Sequence, residues 1–141
     1  MRALSKEDCS RRHLSSDKYE TDKWIRAMFP SDYWLDPCPI DWDANTCTSG
    51  LEFNWQHTCM YDNMHGTFVN PPYSDPLPWV KKAIQEYENG CNIVMLLKHD
   101  SSTEWYRLLH EAGAKFLLVN KRLKYCTKTG AAFPSVLAVL A

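Results

Sequence analysis

The sequence predicts an α/β fold: one domain of three layers with a mostly parallel central sheet. Three observations carry that expectation. Apolar strand-like runs alternate with helix-period segments along the chain. One run, Cys91 to Leu97, is continuously apolar, as expected of a strand buried on both faces in the middle of a parallel sheet. Another, Thr67-Phe68-Val69, runs straight into Asn70-Pro71-Pro72-Tyr73, where two prolines without N–H groups end a ladder at the edge of a sheet.

The elements follow in order. Residues 1–17 are polar and charged and read as a flexible leader, with the folded domain over 18–141. Thr21 or Asp22 can cap a short helix through Trp24, Ile25, Met28 and Phe29 that stops before Pro30. Tyr33-Trp34-Leu35 is the first strand, closed by Asp36-Pro37, and residues 38–66 show no periodicity that places an element. The second strand ends at Asn70. Ser74-Asp75-Pro76 opens a helix over Leu77 to Glu88, with Trp79, Val80, Ala83, Ile84 and Tyr87 on one face and Asn89-Gly90 as its stop. After the apolar strand, Asp100-Ser101-Ser102 opens a helix carrying Trp105, Leu108 and Leu109 that Gly113 ends. Lys115 to Val119 and Val136 to Leu140 are two further strands.

Composition narrows the function classes. At 141 residues, 45% hydrophobic and 13% aromatic, the chain can build one core and has little left for a separate recognition domain. It contains no run of 18 apolar residues, so a soluble, cytoplasmic protein is expected. Its six cysteines (Cys9, Cys38, Cys47, Cys59, Cys91, Cys126) form no C-x-x-C pair and no cluster at zinc spacing, so reduced thiols and no metal are expected. The net charge is −1 but unevenly spread: residues 1–77 hold seven Lys/Arg against twelve Asp/Glu, and residues 78–141 nine against five. The excess in the second half centres on Lys121, Arg122 and Lys124 beside Tyr125, a basic stretch suited to phosphate contacts.

The tetrad carries the chemistry. A residue before proline is pushed toward extended backbone, so Asn70 and Pro71 continue the strand direction beyond the sheet edge. There the Asn70 side-chain oxygen and the Pro71 carbonyl offer acceptors to a planar NH2 group, and Tyr73 offers a flat face for a base. An exocyclic amino nitrogen delocalises its lone pair into its ring; two acceptors on its hydrogens help localise that pair. These are the requirements of a pocket for a flipped nucleobase.

Further matches extend the pattern: Tyr19-Glu20-Thr21, Leu35-Asp36, Trp55, Phe68 to Ser74, Trp79 to Ala83, Val94 to Leu97, Thr103 to Tyr106, and Arg122 to Tyr125. In this order and spacing, from about Tyr19 to Val139, the chain resembles the phage-type DNA N6-adenine methyltransferases. The resemblance implies a Rossmann-like sheet with S-adenosylmethionine over the strand ends and a flipped adenine of double-stranded DNA beside Asn70. It assigns catalysis to Asn70, Pro71, Pro72 and Tyr73, and cofactor binding to Tyr19, Thr21, Asp36, Pro37 and Asn70. Substrate contacts fall on Tyr73, Ser74, His99, Lys121, Arg122 and Lys124, His99 because it follows a buried strand. It implies action in a host cytoplasm, and a homodimer is a possible way for so small an enzyme to cover a duplex. The chain departs from the methyltransferase pattern after the first strand, where Asp36-Pro37-Cys38-Pro39-Ile40-Asp41 contains no glycine. Asp41, Asp43 and Asp62 are the acidic candidates for the ribose hydroxyls. The same tetrad also suits a protein glutamine amide or an RNA adenine, and a degenerate nucleic-acid-binding module would keep the fold without the cofactor.

Overall fold

The structure is a computed structural model that describes residues 23–38, 49–56, 63–119 and 134–141. Its elements are α1 (Lys23–Met28), β1 (Trp34–Leu35), α2 (Ser49–Glu52), β2 (Gly66–Val69), α3 (Leu77–Glu88), β3 (Ile93–Lys98), α4 (Glu104–Glu111), β4 (Lys115–Leu118) and β5 (Ser135–Leu140). The expected leader and the basic stretch with Tyr125 lie outside the described residues, as do Tyr19 and Thr21.

The strands form one sheet in the order β1-β2-β3-β5-β4. β1 pairs with β2, and β2 with β3, in parallel. β5 is antiparallel to both its neighbours, β3 and β4. The sheet is therefore mixed, which corrects the expectation that the Cys91–Leu97 strand has parallel neighbours: β3 is central, but only β2 beside it is parallel. Continuous apolarity reports burial on both faces, and it is blind to the direction of the adjoining ladder.

Side chains alternate across the three inner strands and divide the core in two. Val69, Ile93, Met95, Leu97, Val136, Ala138 and Leu140 meet Trp79, Val80 and Ala83 of α3 and Trp105 and Leu109 of α4. On the opposite face Phe68, Val94, Leu96 and Leu137 meet Ile25 of α1. There the Phe29 ring stacks on Phe68 with centroids 4.8 Å apart. The three expected layers follow from this period-two division.

Local chemistry sets the helix limits. Pro76 occupies the N-cap position of α3 with a proline in its first turn, where a missing N–H costs nothing, and Gly90 takes φ +101° just past the end. α4 is capped by Thr103, whose Oγ1 accepts from the Tyr106 N–H at 3.3 Å. Asp100 belongs to the preceding turn and accepts from the backbone N–H (3.1 Å) and the hydroxyl (2.5 Å) of Ser102.

Residues 49–56, where the sequence placed no element, are fastened to α3. Trp55 is fully buried and donates from Nε1 to the Gly50 carbonyl at 2.8 Å. The buried Glu86 carboxylate receives Lys82 Nζ at 2.6 Å and the Gln56 N–H at 3.3 Å. Gly50 is required by space: a Cβ there would lie 2.1 Å from the Pro37 carbonyl oxygen and 2.6 Å from the Trp79 ring. Backbone thus presses on backbone behind the loop that follows β1. Gly50→Ala should destabilise the fold by about 1–3 kcal/mol, the usual cost of overpacking, measured by urea unfolding.

Candidate functional site

Because β1, β2 and β3 are parallel, their carboxyl ends lie at one edge of the sheet, where open α/β sheets bind ligands. Asp36 follows β1, Asn70 follows β2, and Lys98 closes β3. Apart from the buried Thr67 and the exposed terminal Lys98, the side chains of β2 and β3 are apolar, and further polar groups follow the strand ends.

In the tetrad, Pro71 is buried, and Asn70, Pro72 and Tyr73 are half-buried. The Asp75 N–H donates to the Pro72 carbonyl at 3.3 Å, turning the chain toward α3. Tyr73 Oη donates to Asn70 Oδ1 at 2.9 Å. Tyr73 also forms one wall of a cavity of about 140 Å³, with Pro76 beside it and Leu97, Lys98, Asp100, Thr103 and Trp105 around the rest. That is well below the roughly 300–1,000 Å³ of a pocket that swallows a drug-sized ligand, and it suits one planar ring system.

His99 follows β3 as expected. Its N–H donates to the Pro134 carbonyl at 2.8 Å, its ring lies 6.0 Å from that of Tyr106, and its two neighbours line the cavity. Ser74 is exposed in the turn after Tyr73. Lys98, Asp100 and Trp105 were not singled out as site residues from the sequence. The signal available was position: Lys98 and Asp100 flank the strand end that drew attention to His99, and Trp105 read as a core residue of α4. Lys121, Arg122 and Lys124 lie outside the described residues.

Asp36 is a largely buried charge at this edge. Its side chain is 15% exposed. It accepts from the Cys38 N–H at 3.2 Å and from Arg26 Nη1 at 3.5 Å. Burial raises its carboxyl above the ordinary 3.8, outweighing the opposing pull of Arg26 and the Cys38 amide. Pro37, next to it, is buried, with its carbonyl facing Gly50. Among the described residues no three His, Cys, Asp or Glu side chains are grouped to hold a metal ion, and no helix is long and apolar enough to cross a membrane.

The end of β2 thus holds a strand-end amide that accepts from an aromatic hydroxyl, beside a small cavity walled by the same ring. Comparisons with known proteins give the family. Residues 17–133 match the family described as DNA N-6-adenine-methyltransferase (Dam). The chain is 30% identical over 124 residues to the DNA N-6-adenine-methyltransferase of Haemophilus phage HP1 (strain HP1c1), covering 79% of this chain and 70% of that protein. It is 39% identical over 61 residues to the DNA N-6-adenine-methyltransferase of Escherichia phage T1, covering 43% of this chain and 25% of that protein. No solved structure matches. The chain belongs to the DNA N-6-adenine-methyltransferase family.

The raised Asp36 carboxyl makes a signed prediction. The native state holds this proton to higher pH than the unfolded chain does, so stability falls as pH rises from 3.8 through the native value. Asp36→Asn removes that dependence. Its stability relative to the wild type should grow as pH rises through this window and level off above it, checked by urea unfolding at a series of pH values.

Proposed function

We propose that this chain is a DNA adenine N6-methyltransferase that draws its methyl group from S-adenosylmethionine and works from the strand-end site around Asn70. Family membership supports the reaction. The observation that carries the site is the Tyr73–Asn70 hydrogen bond at the end of β2, beside the small cavity. Three parallel strands with Asp36, Asn70 and Lys98 at their carboxyl ends support a Rossmann-like reading of the sheet.

The described residues suit the methionine end of such a donor. Asp36 is a carboxylate short of compensation, and an ammonium group would relieve it. Asp36 and Pro37 would hold the donor at the end of β1, Asn70 would face it from β2, and Tyr19 and Thr21 would complete the contacts. When bound, the donor supplies an electron-poor methyl group. Asn70 Oδ1 and the Pro71 carbonyl accept the two N6 hydrogens, turning the nitrogen lone pair out of the ring's conjugation. Tyr73 stacks on the adenine, a contact of about 1–3 kcal/mol. With the donor bound, the N6 lone pair would form the new bond to the methyl carbon as the donor's carbon–sulfur bond breaks and its electron pair stays on sulfur; the nitrogen, then cationic and acidic, would release a proton to water. Orientation and electrostatics account for the rate, and no strong base is needed beforehand.

DNA is held through its phosphates by Lys121, Arg122 and Lys124, within the segment 78–141 where basic residues outnumber acidic ones by four.

The direct test is transfer of labelled methyl from S-adenosylmethionine to unmethylated duplex DNA, with RNA and protein in parallel and nucleoside analysis of the product. N6-methyladenine in DNA is expected; label confined to RNA or protein would overturn the substrate. Asn70→Ala should lower the rate about 10²–10³-fold, as loss of one preorganised partner does. Neutralising Lys121, Arg122 and Lys124 together should reduce the slope of log affinity against log salt by about 2–3.

A further inference from the structure

We infer that the Tyr73 hydroxyl is a positioning group for Asn70, a role separate from the stacking its ring provides. The inference rests on the proposed function and deepens it. An asparagine amide turns about a broad, roughly two-fold torsion, and turning it over exchanges an acceptor for a double donor. An adenine N6 amino group presents only hydrogens, so one orientation of Asn70 accepts from it and the other confronts it donor to donor. Tyr73 Oη donates to Oδ1 at 2.9 Å; because a phenolic hydroxyl donates more strongly than it accepts, this contact favours the accepting orientation before any base arrives. A carbonyl oxygen has two lone pairs, and the Tyr73 bond uses one of those on Oδ1.

The spacing makes this bond. Pro71 and Pro72 hold φ near −65°, and the Asp75 N–H to Pro72 carbonyl contact closes the turn, which returns the Tyr73 ring toward the residue three positions earlier. The same bond tethers the ring at its far end. The ring is thereby held as a wall of the cavity that Lys98, Asp100 and Trp105 also line. This hydrogen bond thus bears on both the acceptor and the platform.

Two substitutions separate the hydroxyl from the ring. Tyr73→Phe keeps the ring and removes the donor. Asn70→Asp makes both side-chain oxygens acceptors, so its orientation no longer matters. Single-turnover transfer at saturating DNA and donor, KM for DNA, and nucleoside analysis are measured for each variant and for the pair. Tyr73→Phe should lower the saturating rate about tenfold, the scale of one lost hydrogen bond, with KM for DNA changed less than about twofold because stacking persists. In the Asn70→Asp background the same change should cost less than about twofold. A rise in KM alone, an unchanged rate, or an equal loss in both backgrounds would overturn the positioning role. Should Asn70→Asp transfer no methyl, the rate-against-KM split in the native background decides. Failure of the wild type to form N6-methyladenine would overturn the proposed function itself, whereas an active wild type with an indifferent Tyr73→Phe overturns only the role of the hydroxyl.

Discussion

Burial of the three inner strands on both faces is the constraint on which the rest depends. β2, β3 and β5 carry apolar side chains alternately toward α3 and α4 and toward α1, so helices must cover both sides and the sheet interior can hold no exposed polar chemistry. At about 25 cal/mol per Å² of apolar surface, this core is the main favourable term in folding. It also dictates where function can sit. At and just beyond the strand ends Asp36, Asn70, Lys98 and Asp100 find room for polar groups, and the parallel run of β1, β2 and β3 gathers the first three at one edge.

That edge is arranged by short-range devices. Two consecutive prolines stop β2 and shape a turn, and the turn brings Tyr73 onto Asn70. The Asp100 turn and the Thr103 cap set the path from β3 into α4 and with it the far wall of the cavity. Asp36 is placed where burial opposes its charge, with Arg26 at 3.5 Å as partial compensation.

The absent glycine turn after β1 has a structural counterpart elsewhere. Close approach of backbone to backbone occurs where Gly50 meets the Pro37 carbonyl, and the segment that carries Gly50 is tied to α3 through Trp55, Lys82 and Glu86. The loop beside Asp36 is therefore braced by a residue from a different element, 13 positions later in the chain.

The sequence by itself determined what local chemistry controls. Leu77 to Glu88 was legible as α3 because Pro76 opens it and Asn89-Gly90 closes it, and β2 was legible because an apolar run meets two prolines. Asn70 and Tyr73 were legible as neighbours in one small loop, for only Pro71 and Pro72 lie between them and the chain there has little freedom. Tertiary structure alone decided the antiparallel place of β5 between β3 and β4, since an apolar run packs equally well in either direction and ladder pairing is a long-range choice. It alone brought Gly50 to Pro37, α2 to α3, and Lys98, Asp100 and Trp105 to Tyr73. Those contacts join residues far apart in the chain, and their free energy is gained only once the sheet has closed the distance between them.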